Sequence, residues 1–228
     1  MYFSGMYLLI IIAFIFSLWA QFRVQGTFRR WSEVRNYSGM TGYDAARHML
    51  DANGLYDVAI EPVPGALTDH YDPIHRVVRL SEPVYYESSI SAISVACHEV
   101  GHAIQHKEAY PMLVLRHRMF PVVNFASGIA PFLLLAGFLF SSLNLIGLGI
   151  IFFSAAVAFQ VVTLPVEFNA SNRAREVMVS EGYITNEEER GVAKVLNAAA
   201  LTYVAAALIS ILELIRYILI FTGSSRDE

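Results

Sequence analysis

Two hydrophobic patterns alternate along the chain: long uncharged blocks and short periodic segments. Residues 1–22 contain no Asp, Glu, Lys or Arg, and Tyr7-Leu8-Leu9-Ile10-Ile11-Ile12-Ala13-Phe14-Ile15-Phe16 runs on to Trp19. The block is long enough to cross a bilayer, and Trp suits the membrane–water interface, so a first transmembrane helix is predicted over 1–22. Without a basic start it reads as an uncleaved helix rather than a signal peptide. Residues 119–166 form a second block, 48 residues without charge, which is enough for two crossings. Ser141-Ser142-Leu143-Asn144 supplies the turn, predicting helices at about 120–141 and 144–165, a membrane hairpin within 120–165. Pro121, Pro131 and Pro165 are compatible with membrane helices. A fourth apolar stretch covers 198–221, leaving a tail at 222–228. Glu213 and Arg216 lie at i, i+3 inside it. They predict an ion pair, either at the helix end near the interface or against another helix.

Between these blocks lie two polar segments, 23–119 and 166–197, with globular signals. Thr41-Gly42-Tyr43-Asp44 opens a short helix whose apolar face is Ala45, Ala46, Met49 and Leu50, and Asn53-Gly54 ends it. Val58–Val63 reads as a strand, moved towards a sheet edge by Pro62. Leu67–Tyr71 and Arg76–Leu80 are further strand candidates, separated by Asp72-Pro73. A hairpin or three-stranded sheet therefore precedes a helix predicted over Ser88–Lys107, with Ser88 or Ser89 as its cap. Asn186-Glu187-Glu188-Glu189-Arg190 caps another helix outside the membrane. The fold class expected is an α-helical integral membrane protein with four transmembrane helices and a small α+β cytosolic part.

Composition agrees with the pattern. Of 228 residues 55% are hydrophobic and 16% charged, well below the ~25% charge of soluble domains. Disorder and a disulfide framework are excluded, the latter by a single cysteine, Cys97. A net charge of −4 gives no reason to expect nucleic acid. Fourteen of the 16 basic residues fall in 23–119 and 166–197, leaving Arg216 and Arg226. The positive-inside rule then puts both polar segments in the cytoplasm and both termini outside.

His98-Glu99-Val100-Gly101-His102 carries the chemistry. It is H-E-x-x-H inside a predicted helix, where i and i+4 share a face and two imidazoles can grip one zinc ion (Zn2+). Chance would place roughly 0.01 such motifs in a chain of this composition, which favours a site over coincidence. Glu99 stands beside the first ligand, placed to take a proton from an attacking water and pass it to a leaving amine. A catalytic zinc needs a third protein ligand. His106 lies a turn too far along the axis and reads as a surface residue. Glu108 occupies the place where the metzincin pattern needs histidine. A glutamate from elsewhere remains, and Glu167 is the best placed, as the first charge after the uncharged block. Glu176 and Glu181 are weaker rivals. If the chain is helical there, Ser171 shares a face with Glu167 and can support a ligand histidine by hydrogen bond.

The chain resembles the small bacterial membrane zinc metallopeptidases of the YugP type. The residues that carry the resemblance are Gly65-Ala66-Leu67-Thr68-Asp69-His70-Tyr71-Asp72-Pro73, Leu80-Ser81-Glu82, Ala96–Gln105 and Leu164–Ser171. It is more distantly similar to the HtpX-like membrane gluzincins, with H-E-x-x-H, a membrane hairpin, then E-F-x-A-D. The resemblance implies a zincin-like cytosolic part and Glu167 as third ligand. The departure is Ser171 where those proteins carry Asp, a weaker orienting group for an imidazole. It also implies an edge strand before the motif helix that pairs with peptide substrate, here Leu67, Thr68, Asp69 and His70. His70, Tyr71, Asn172 and Arg173 stay open as groups that polarise the scissile carbonyl.

The function expected is zinc-dependent hydrolysis of peptides or membrane-protein segments at the cytoplasmic face of a bacterial membrane. The alternative is a catalytically silent scaffold or adaptor that keeps zinc for structure, against which an intact Glu99 argues. A transporter would want polar groups at mid-span, and the central spans offer Asn144, Gln160 and Thr163 but no charge. The lipid bilayer is an expected partner, and a homo-oligomer or membrane partner is left open.

Overall fold

A computed structural model describes residues 2–224, with side chains over 6–223. In chain order the elements are α1 (Tyr2–Ser32), α2 (Gly42–Ala52), β1 (Ala59–Val63), β2 (His70–Asp72), β3 (Val77–Ser81), α3 (Glu82–Tyr86), α4 (Ile90–Lys107), α5 (Pro111–Leu139), α6 (Leu143–Ser180) and α7 (Glu189–Ser224). Four of them, α1, α5, α6 and α7, are long and apolar enough to cross a membrane. Each outruns the uncharged block that announced it. Hydropathy marks where a helix can contact lipid, but the backbone ladder continues through polar residues until a cap or a break stops it. The helix expected from Asn186–Arg190 and the span at 198–221 are thus one helix, α7, which begins at Glu189, after Asn186. Residues 225–228 of the expected tail, with Arg226, lie outside the described residues.

The chain divides into two compact units. The first comprises residues up to Trp19, Val114–Leu164 and the chain from Thr202. Its hairpin turn follows Leu139. Ser141 takes a left-handed φ of 50°, and Ser142 N–H donates to the Gly137 carbonyl at 2.9 Å. A Cβ on Gly137 would fall 2.8 Å from Ile146 N, so the absent side chain is what lets the two arms close. Arg216 donates to Glu213 at 2.9 Å, lies 4.9 Å from the Tyr217 ring centroid and reaches the Tyr7 ring of α1 at 5.6 Å. The expected i, i+3 ion pair is thus present, partly exposed, and Arg216 also reaches a second helix.

The second unit comprises Ala20–Leu113 and Pro165–Leu201. Its core is the fully buried set Met49, Leu50, Val78, Leu80, Ile93, Val100 and Met178. Thr41 caps α2 through a reciprocal box with Asp44: Thr41 Oγ1 accepts from Asp44 N–H at 3.1 Å, and Asp44 accepts from Thr41 N–H at 3.0 Å. The sheet order is β1-β3-β2, with β1 parallel and β2 antiparallel to β3. Pro62 sits on the outer strand β1, as its missing donor requires. Ser89, rather than Ser88, caps α4 by accepting from Ala92 N–H at 3.1 Å.

One strand is shorter and later than expected. The edge strand predicted over Leu67–His70 begins only at His70. Leu67 has a φ of 59° and Gly65 one of 101°, so Gly65–Asp69 turns instead of extending. Asp69 pins this turn to the far end of β3, accepting from Ser81 N–H at 2.7 Å and from Ser81 Oγ at 3.0 Å.

Candidate metal centre

The helix α4 is apolar on most of its surface, and its capped start fixes where its polar residues fall. His98 and His102, one turn apart, present their imidazoles with ring centroids 4.8 Å apart and planes at 83°. The polar end of α6 supplies Glu167, which is 4% exposed as a side chain. His98 Nε2 lies 3.3 Å and His102 Nε2 3.5 Å from the same oxygen, Glu167 Oε2. Among the described residues, His98, His102 and Glu167 form a group whose potential ligand atoms all lie within 4.8 Å of one another.

What brings α4 and α6 this close is Gly101. A Cβ there would fall 2.7 Å from the Ala170 carbonyl oxygen and 3.2 Å from Ala170 Cα. Backbone meets backbone at that point, and only glycine permits it. Ala170 and Ala174 continue the small, fully buried face of α6.

The far nitrogen of each imidazole is held. Ser171 Oγ is 3.1 Å from His98 Nδ1, as the shared face of Glu167 and Ser171 predicted. Gln105 Oε1 is 3.0 Å from His102 Nδ1. Gln105 is fully buried and donates its amide to the Val166 carbonyl at 2.8 Å and to Asn169 Oδ1 at 2.9 Å. Asn169 Oδ1 also accepts from Arg173 Nε at 2.7 Å, and Arg173 pairs with Glu108 at 2.7 Å. Gln105 and Asn169 were not singled out by the sequence reading. The signal present was spacing alone, since Gln105 follows His102 by three and shares its face.

Two imidazoles and a carboxylate, each His engaged on Nδ1 and facing inward on Nε2, are a donor set that fits zinc. The electrostatics agree. Burial alone would depress the pKa of His102, but the hydrogen bond and charge of Glu167, with Glu99 behind them, raise it, so the cluster favours a positive charge in its midst. Glu99 is buried at 8% exposure. Its charge is also felt at Asp69, whose carboxyl is pushed up by burial first, against the Ser81 hydrogen bonds.

The other expected site residues are engaged elsewhere. The Tyr71 hydroxyl is 2.9 Å from His106 Nδ1, so His106 is half-buried and partnered rather than a plain surface residue. Its place at the end of α4, beside β2, was invisible without the sheet. His70 Nδ1 is 2.9 Å from the Thr68 carbonyl, and the Thr68 hydroxyl donates to the Pro64 carbonyl at 3.1 Å. Leu67 is 43% exposed. Asn172 lines a separate cavity of about 620 Å³ with Arg175, Glu176 and Glu189.

Residues 6–222 match the family described as "Putative neutral zinc metallopeptidase". The chain is 67% identical over 220 residues to "Putative membrane protease YugP" of Bacillus subtilis (strain 168), covering 96% of this chain and 97% of that protein. No solved structure matches it. With four helices apolar enough to span and a match over nearly its whole length, the chain belongs to this family of membrane-associated zinc metallopeptidases.

Proposed function

We propose that the protein is a membrane-embedded zinc metalloendopeptidase that hydrolyses peptide bonds of peptides or membrane proteins near the cytoplasmic face. The observation that carries this reading is the convergence of His98 Nε2 and His102 Nε2 on Glu167 Oε2. These three residues would hold the metal, and Ser171 would orient His98. Zinc bound there supplies Lewis acidity for the scissile carbonyl and for water. Glu99 takes the proton of the attacking water and delivers it to the leaving amine nitrogen. The edge strand β2 receives the substrate backbone by strand addition, beside the Gly65–Asp69 turn. His70 and Tyr71 stand on this strand, and with Asn172 and Arg173 of α6 they are the candidates for the carbonyl oxygen.

In this reading 23–119 and 166–197, which overlap most of the second unit, are the zincin-like cytosolic part, with 1–22, the 120–165 hairpin and 198–221 in the bilayer and both termini outside. The distribution of basic residues supports that orientation.

The test uses the full chain in detergent with a panel of membrane-protein substrates. Glu99→Gln should retain stoichiometric zinc and lose about 10²–10⁴-fold in hydrolysis. Glu167→Ala should lose most of the bound metal. Cleavage by Glu99→Gln at the wild-type rate removes Glu99 as the base, and full zinc in Glu167→Ala removes Glu167 from the site.

A further inference from the structure

We infer that Gln105 is a positioning residue whose one carboxamide fixes both the tautomer of His102 and the placement of Glu167. The inference rests on the metal-centre reading above and adds to it a group that touches neither metal nor substrate.

Hydrogen positions follow from groups whose roles are not ambiguous. Arg173 Nε can only donate, so the Asn169 atom it meets at 2.7 Å must be the carbonyl oxygen. The Val166 main-chain carbonyl can only accept. Gln105 meets both, at 2.9 Å and 2.8 Å, and so turns its NH2 towards them. Both amide hydrogens are then used, and its remaining atom, Oε1, faces His102 Nδ1 at 3.0 Å. An oxygen there needs a donor, so His102 carries its proton on Nδ1. In the neutral ring Nε2 is then a bare lone pair facing Glu167 Oε2, 3.5 Å away. An imidazole must be in this form to bind a metal through Nε2.

The same amide grips the residue just before Glu167. Val166 and Glu167 are consecutive in α6, so holding the Val166 carbonyl fixes the height of α6 against α4 at the third ligand. The centre of the network is buried: Gln105 is fully excluded from solvent and Val166 likewise, while Asn169 is half-buried. In such surroundings a lost partner leaves polar groups unsatisfied instead of exchanging with water. His98 has a weaker counterpart, because the Ser171 hydroxyl can donate or accept and dictates no tautomer.

The test is zinc affinity of the purified full-length protein, measured by chelator competition, beside 15N spectra of the metal-free histidines at alkaline pH. Gln105→Leu should weaken zinc by about 10–100-fold, and His102 should change from one Nδ1–H tautomer to a mixture. Asn169→Leu frees the amide to rotate and should move both readouts the same way. Asn169→Asp keeps the acceptor and should stay within about threefold of wild type in affinity. If Gln105→Leu does not fold, the Asn169 pair decides the matter. Wild-type affinity with a single His102 tautomer in Asn169→Leu or in a folded Gln105→Leu overturns the inference. So does an equal loss in Asn169→Asp and Asn169→Leu. His102→Ala separates the two levels: if it keeps full zinc the metal-centre reading has failed, and if it loses zinc while Gln105→Leu does not, only the role of Gln105 has.

Discussion

At Asp72 a single carboxylate closes the turn between β2 and β3. Oδ1 accepts from the Ile74 and His75 N–H groups at 2.9 and 3.1 Å, while Oδ2 accepts from Arg79 at 2.8 Å and His75 Nδ1 at 2.7 Å. The Arg79 hydrogen bond, followed by those from His75, holds the carboxyl well below the usual carboxylate range. Its folded pKa thus lies under the unfolded value of about 3.9. The resulting stability is complete above that value and is lost as pH falls below it. Asp72→Asn should therefore cost about 1 kcal/mol at neutral pH, and the gap to wild type should narrow as the pH falls from about 5 to about 3, closing fully only below the lowered folded pKa. Thermal melts at both ends of that range check it, and an equal gap at both would assign the loss to shape instead of charge. At this scale the sequence showed residues whose meaning lies in spacing or position. His98, Glu99 and His102 are legible because one helix turn links them, and Glu167 because it ends an uncharged run. Gln105 was silent because its partners on α6 lie 61 and 64 positions away.

At the scale of elements, the site depends on how closely α4 and α6 approach. Gly101 touches the Ala170 backbone directly, so a methyl group there has no flexible side chain to displace. Gly101→Ala should force the helices apart and destabilise the fold by about 1–3 kcal/mol. It should also weaken zinc by at least about tenfold, because His98 and His102 ride on one helix and Glu167 on the other. Melting temperature and chelator competition read the two effects separately; a variant that melts lower yet binds zinc as before would show that the ligands adjust to the wider spacing. The helices themselves were legible from period and caps, as with Thr41 and Ser89. The strands were less so, for a physical reason. Leu67 and Thr68 have side chains that suit a strand, yet the backbone there follows Gly65 into left-handed φ and Asp69 is drawn to Ser81, a long-range bond that no local pattern announces.

At the scale of the whole molecule, the claim most open to direct measurement is topology, and the chain carries its own means of measuring it. Cys97 is its one cysteine. It is fully buried, and burial pushes its thiol up to about 12, so at neutral pH almost no reactive thiolate exists. Wild-type protein should therefore stay unlabelled by a membrane-impermeant maleimide, even in opened cells, and single cysteines can be read against that silent background without removing the native one. Tyr37 is 81% exposed in the segment assigned to the cytoplasm. Ser141 is exposed at the tip of the hairpin, assigned to the opposite side. Ser141→Cys preserves side-chain size at a left-handed position, so the turn should persist. Label should reach Ser141→Cys in intact cells stripped of their outer layers, and reach Tyr37→Cys only after the membrane is opened. The reverse pattern would invert the molecule and place His98, Glu99, His102 and Glu167 outside, where only exported peptides could be substrates. Label on both in intact cells would mean that the chain between them does not cross the bilayer, and the hairpin assignment would fall with it.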